Sequence, residues 1–92
     1  MSAFQEMLAA ARTSSGYAKR ALATVHGFGP SSPERAAAFA KESRDLANHA
    51  RTLAETAVDR EAADAVAELA ESMLAQARGL ASPAPSASPR MR

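Results

Sequence analysis

The residues of this chain that could do chemistry begin with its two histidines. His49 follows Asp45 by four residues, a spacing that places both side chains on one side of a helix. Such a pair could give two ligands to a metal ion, but the sequence offers no second pair to complete a site. His26 stands beside Gly27, where we expect it to cap the C-terminal end of a helix. We therefore expect no catalytic residue, no metal and no cofactor.

Three polar residues form a second candidate site. Ser15, Ser43 and Gln76 are each the one polar residue of an otherwise apolar helical pattern, and folding the predicted helices back on one another places them in one layer. Such a layer is either a small polar pocket or a hydrogen-bonded layer that fixes the register of the helices. The serine hydroxyls could instead bond the carbonyls of their own helices. Nucleophilic catalysis is not indicated, because no base or acid accompanies the serines.

Two short segments resemble known helical families. His49 resembles the exposed, phosphate-accepting histidine of histidine phosphotransfer domains, in which a Lys and then a Gly follow the histidine. Thr52 and Leu53 stand in those places here. The turn 27–29, Gly-Phe-Gly, resembles the Trp-x-Gly turn of small secreted helical hairpins, although this chain has no Trp. The first resemblance implies a small regulatory or phosphorelay-type carrier acting through His49, and we expect Phe28 to fold over one end of a bundle.

Start and stop signals divide the chain into three helices and a tail. Ser2 and Gln5 form a capping box, and the turn 27–30 with two Gly and one Pro ends the first helix. Ser32 and Pro33 begin the second helix, and Gly79 ends the third. The predicted helices are 2–25, 32–57 and 59–78, in a domain of residues 1–80. Residues 81–92, rich in Pro and Ser, are predicted to be a disordered tail.

Apolar residues recur at alternating intervals of four and three along each predicted helix, which is typical of a bundle core. In chain order the three stripes are Phe4, Leu8, Ala11, Ser15, Ala18, Leu22, Val25; Ala36, Phe39, Ser43, Leu46, Ala50, Leu53, Ala57; and Ala62, Val66, Leu69, Met73, Gln76, Leu80. The second and third stripes are out of phase, which favours a break at 57–60 with Asp59 as N-cap. The sequence thus predicts an all-α, antiparallel three-helix bundle that pairs Leu46 with Met73. The alternative is a helical hairpin whose long second helix, 33–78, is paired in a dimer.

The composition excludes several classes of protein. Alanine supplies 25 of the 92 residues and the net charge is +1, so neither nucleic acid nor an anionic membrane is an expected partner. The chain has no Cys, which excludes disulfides and thiolate chemistry. We read no membrane span and no secretory signal and expect a cytoplasmic protein. The excess of Ala, and of Arg over Lys, suggests a bacterial genome rich in GC.

Alanine-rich stripes away from the predicted core indicate a protein interface. Helix 1 carries Ala10, Ser14, Tyr17, Ala21 and Thr24 at this spacing, and helix 3 carries Ala63, Ala67, Ala70, Leu74 and Ala77. A helix side that faces only solvent would carry more charge. The alternative is that Ala is simply the default helix former. The predicted function is a non-enzymatic interaction or assembly module that binds itself, a larger protein or both. Its candidate interface residues are Ala10, Tyr17, Ala21, Ala67, Ala70 and Leu74.

Overall fold

The computed structural model describes residues 2–25 and 33–81, which form three α-helices. These are α1 (Ala3–Val25), α2 (Pro33–Leu53) and α3 (Ala57–Ala81). The helix α2 packs along both of its neighbours in antiparallel fashion, whereas α1 and α3 run parallel and contact each other much less. The predicted all-α three-helix bundle is confirmed, with α2 as its central element.

The start of α1 follows its predicted capping box. The Gln5 N–H donates to Ser2 Oγ at 3.2 Å, and the Ser2 N–H donates back to Gln5 Oε1 at 3.4 Å. This reciprocal pair satisfies backbone donors that have no partner inside the helix. The capping box therefore fixes where α1 begins.

The break between α2 and α3 exists, but its predicted position was three residues too late. The helix α2 ends at Leu53 and α3 begins at Ala57. Thr56 is the N-cap, since its Oγ accepts a hydrogen bond from the Asp59 N–H at 3.1 Å. Both residues can cap a helix, but Asp59 lies inside the first turn, where its charge favours the positive end of the helix dipole. The single long helix over 33–78 is excluded.

The far end of α3 also differs from the prediction, because α3 continues through Gly79 to Ala81. The predicted disordered tail therefore overlaps α3 at Ala81, and its remainder lies outside the described residues. The predicted turn with His26 and Phe28 lies outside them as well.

The core consists of two apolar clusters, one near each end of the bundle. The first joins α1, α2 and α3 through Ala18, Ala21, Leu22, Ala36, Ala40, Met73, Leu74 and Ala77. The second does so through Phe4, Leu8, Ala11, Ala47, Ala50, Ala63 and Val66. The stripe predicted for α1 is buried from Phe4 to Leu22. The sequence therefore predicted the inward side of α1 correctly.

The inward side of α3 was predicted only in part, since Val66 and Met73 are buried as expected. Leu69, expected in the core, is 53% exposed, whereas Leu74, expected outside it, is 3% exposed. Leu46 and Met73, expected to meet, belong to different clusters. The ion pair from Arg44 to Glu71 shows the axial shift, because the predicted register places position 75 opposite Arg44. Because the break lies nearer the N-terminus than predicted, α3 is displaced along α2 by about one turn relative to the predicted register. A different side of α3 therefore faces α2.

The two leucines give a direct test of this orientation. We expect Leu74→Ala to lower the free energy of unfolding by about 2–5 kcal/mol, because it leaves a cavity in the core. Leu69→Ala is the matched control and should cost less than about 1 kcal/mol, because its side chain is already half in water. Urea denaturation of both variants in dilute solution measures the difference. A larger loss for Leu69→Ala would contradict the orientation of α3.

Candidate protein interface

The six residues predicted to form an interface do not lie together on the surface. Three of them are core residues: Ala21 is 5% exposed, Ala70 is fully buried and Leu74 is 3% exposed. The prediction that these three lie away from the core was wrong. Their stripes face α2, whose small side chains let the alanines of α1 and α3 approach closely.

The other three lie at the surface, two of them on α1 and one on α3. Ala10 is exposed and Tyr17 is 47% exposed, both on α1. The Tyr17 ring packs against Phe39 of α2 with 5.3 Å between the ring centroids. Ala67 is half-buried beside Arg44 in a cleft between α2 and α3. No continuous surface unites these residues, and much of the apolar area of Tyr17 is used within the chain.

The predicted polar layer retains its two serines and loses its glutamine. Ser43 is fully buried and Ser15 is 7% exposed, whereas Gln76 is exposed. Gln76 lies outside because α3 presents a different side to α2 than the sequence predicted. The Ser43 hydroxyl donates to the Ala11 carbonyl of α1 at 2.7 Å. The layer is thus reduced to a buried contact between α1 and α2.

Ser43 occupies its site because both its size and its hydroxyl fit there. We expect Ser43→Ala to lower the free energy of unfolding by about 0.5–1.5 kcal/mol, the usual net value of one hydrogen bond. Ser43→Val should cost more, about 1–3 kcal/mol, because the closely packed helices leave no room for its methyl groups. The exposed Ser72→Ala is the control and should be neutral or slightly stabilising. Equal or higher stability of Ser43→Ala, measured by thermal unfolding, would contradict this role.

His49 and Asp45 lie on the exposed side of α2, in a shallow groove of about 510 Å³ that Met7 and Leu46 also line. The Asp45 carboxylate accepts hydrogen bonds from Lys41 at 3.3 Å and from Arg44 at 3.2 Å. Desolvation by itself raises the pKa of Asp45, whereas the hydrogen bonds from Lys41 and Arg44 lower it. The hydrogen bonds, together with the positive charges of Lys41 and Arg44, outweigh the desolvation, so the pKa of Asp45 lies below its ordinary value. Asp45 is therefore paired with cations on its own helix. Within the described residues, no group of three metal-binding side chains comes together.

Two arginines of α2, Arg44 and Arg51, form ion pairs with α3. The Arg44 guanidinium donates to Glu71 Oε1 at 2.9 Å and also to Asp45 Oδ1. The hydrogen bond to Glu71, followed by the one to Asp45, raises the pKa of Arg44 above its ordinary value. A second pair, Arg51 with Asp64 at 2.7 Å, lies two turns nearer the connection between the helices. These pairs show which levels of the two helices face each other on the outer side of the bundle.

The main surface feature that the sequence reasoning missed is a cleft between α1 and α3, on the side away from α2. It has a volume of about 360 Å³ and is lined by Lys19, Leu22, Ala23, Leu69, Met73 and Gln76. Val58 and Leu80 extend it along α3, because Val58, Leu69 and Leu80 are eleven residues apart, or three helical turns. They are 73%, 53% and 37% exposed. We call these eight residues the α1–α3 face. Four of them, namely Leu69, Met73, Gln76 and Leu80, belong to the stripe of α3 that was predicted to lie in the core.

The two helices of the α1–α3 face also carry exposed charged side chains, basic on α1 and acidic on α3. Arg12 and Lys19 lie on α1, and Glu61 and Glu68 directly precede Ala62 and Leu69 on α3. All four charged side chains are exposed. None of the four enters an ion pair within the described part of the chain. Lys19 lines the cleft between α1 and α3, whereas Glu68 lines the separate cleft between α2 and α3.

Comparison with known proteins finds no matching family model, curated protein or solved structure. In residues 2–25 and 33–81, no helix combines the length and the apolar character needed to cross a membrane.

Proposed function

We propose that this chain is a non-enzymatic protein–protein interaction or assembly module of the cytoplasm, which binds a partner helix on its α1–α3 face. The partner is a second copy of the chain, a larger protein or both. The observation that carries this proposal is the row of exposed Val58, Leu69 and Leu80 along one side of α3.

The exposure of this row supports a docking role because it leaves much apolar area in water. Burial of apolar surface stabilises by roughly 25 cal/mol for each Å². Single exposed apolar residues are ordinary on protein surfaces, but here three lie in one line beside a cleft whose floor contains Leu22 and Met73. A partner that covered this line would remove all three side chains from water together.

The shape of the face suits a helix. The helices α1 and α3 are 23 and 25 residues long, run parallel and make few contacts with each other. An amphipathic helix can lie in such a groove with apolar residues at helical spacing pointing inward. A four-helix arrangement would then replace the three-helix one, with the bound helix diagonally opposite α2.

Photo-crosslinking in cells tests this proposal. The full chain carries p-benzoylphenylalanine in place of Leu69, or of the exposed Asn48 of α2 as the control. We expect irradiation to produce discrete protein adducts from position 69 and far fewer from position 48, because only the first position lies in the proposed interface. Mass spectrometry of the adducts then identifies the partner as this chain or another protein. Equal adduct yields from both positions, or none from position 69, would contradict the proposal.

A further inference from the structure

We propose that the outward side of α1 carries a binding site for a phosphate monoester, held by Arg12 and Arg20 over the bare backbone of Gly16. The site is a cavity of about 220 Å³ that these three residues line together with Thr13 and Tyr17. All five residues are exposed. None of them belongs to the α1–α3 face, so this inference goes beyond the proposed function and can fail without it.

Gly16 is the residue of this site that the fold does not explain. It lies in the middle of α1, where Gly destabilises a helix relative to Ala. A Cβ atom added at Gly16 would meet nothing within 4 Å, and the φ angle of Gly16 is not in the left-handed region. Neither close packing within the described residues nor a special backbone conformation therefore requires Gly here. What Gly16 does provide is an open floor between two arginine side chains.

The two arginines are placed symmetrically about this floor. Arg12 lies four residues before Gly16 and Arg20 four residues after it, so all three lie on one side of the helix. The Cα atoms of the two arginines are about 12 Å apart along the helix axis. Both side chains nevertheless line the same cavity, and no side chain of residue 16 stands between them. One anion seated above Gly16 can therefore contact both guanidinium groups.

The charge of the cavity is not neutralised by the fold. Within residues 2–25 and 33–81, neither Arg12 nor Arg20 forms an ion pair, and no Asp or Glu lines the cavity. Arg44 and Arg51 of α2, in contrast, both pair with carboxylates of α3. A guanidinium group offers parallel N–H donors that match the oxygens of a phosphate group. Two unpaired arginines suit a phosphate monoester, because its charge at neutral pH is about −1.5 to −2.

The other two walls are held by contacts within the fold. The Tyr17 ring packs against Phe39, and the Thr13 hydroxyl donates to the Ala9 carbonyl at 3.0 Å. The exposed part of the Tyr17 ring offers an apolar surface to the organic part of a bound monoester. A monoester should therefore bind more tightly than inorganic phosphate.

Titration of the isotope-labelled full chain, followed by its amide chemical shifts, tests the site. The probes are phenyl phosphate, inorganic phosphate and acetate, at neutral pH and constant ionic strength. We expect saturable shifts centred on Gly16, with a dissociation constant in the millimolar range for phenyl phosphate, because the charges are exposed to water. Inorganic phosphate should bind more weakly, and acetate should not saturate. Equal affinity for acetate, or shifts centred elsewhere, would overturn the inference.

Charge variants separate a site from general attraction of anions. Arg12→Gln combined with Arg20→Gln should weaken the binding of phenyl phosphate by at least about tenfold. Arg60→Gln combined with Arg78→Gln removes the same number of charges from the exposed side of α3 and is the matched control. It should bind phenyl phosphate like the natural chain. Equal losses in the two double variants would contradict a site on α1.

Gly16→Leu separates the cavity from the stability of the fold. The thermal midpoint should rise, because Leu favours a helix more than Gly does. Binding of phenyl phosphate should weaken by at least about fivefold, because the new side chain fills the floor between the arginines. Unchanged binding in this variant would show that the open floor has no role and would contradict the inference.

Two sources could supply the phosphate group, namely a small phosphate monoester or a phosphorylated residue of a protein. A short peptide that contains phosphoserine represents the second source in the same titration, beside phenyl phosphate for the first. Binding of either probe at Gly16 supports the site, and the tighter one identifies the source. Binding of neither would overturn the inference.

Discussion

The inward side of α2 is the constraint on which the rest of the structure depends. All five of its buried positions carry small side chains, namely Ala36, Ala40, Ser43, Ala47 and Ala50. Small side chains allow both neighbouring helices to approach closely, and the bond from the Ser43 hydroxyl to the α1 backbone is a result of that closeness. They also remove little apolar area from water, so the large residues that complete the two core clusters come mainly from α1 and α3.

The same constraint explains why the chain leaves apolar surface exposed. The helix α3 presents Ala63, Ala70 and Leu74 to α2, because that side fits closely against alanine. Its larger residues then lie at the margin of α3 that faces the cleft with α1. Met73 is buried there, whereas Leu69 is exposed. Since α1 and α3 both pack on α2 and contact each other little, nothing within the described residues covers that margin. A partner helix lying on the α1–α3 face would provide the missing cover.

Local signals in the sequence were sufficient to predict the three helices and the side of α1 that is buried. The Ser2 and Gln5 box fixes the start of α1, and the stripe from Phe4 to Leu22 is the side that α1 buries. The position of the second break was harder, because Thr56 and Asp59 are both good caps and only the folded register selects Thr56.

The face of α3 could not be predicted from its own sequence. Two stripes at the same spacing lie one residue apart, one through Leu69 and Met73 and the other through Ala70 and Leu74. Judged alone, the stripe with the larger residues is the more hydrophobic and is expected inside. The structure buries parts of both, because the alanine surface of α2 determines which side fits. The candidate interface was misplaced for the same reason, since the stripe expected outside became core.

The central claim, that a partner covers the α1–α3 face, can be measured as the protection of a thiol. The chain has no Cys, so Gln76→Cys gives one thiol per copy on this face, and His49→Cys gives one on the exposed side of α2. The rate of alkylation by a maleimide at position 76, relative to the rate at position 49, should be clearly lower in cells than in the purified, dilute chain. An equal ratio of the two rates in cells and in the dilute chain would contradict the account.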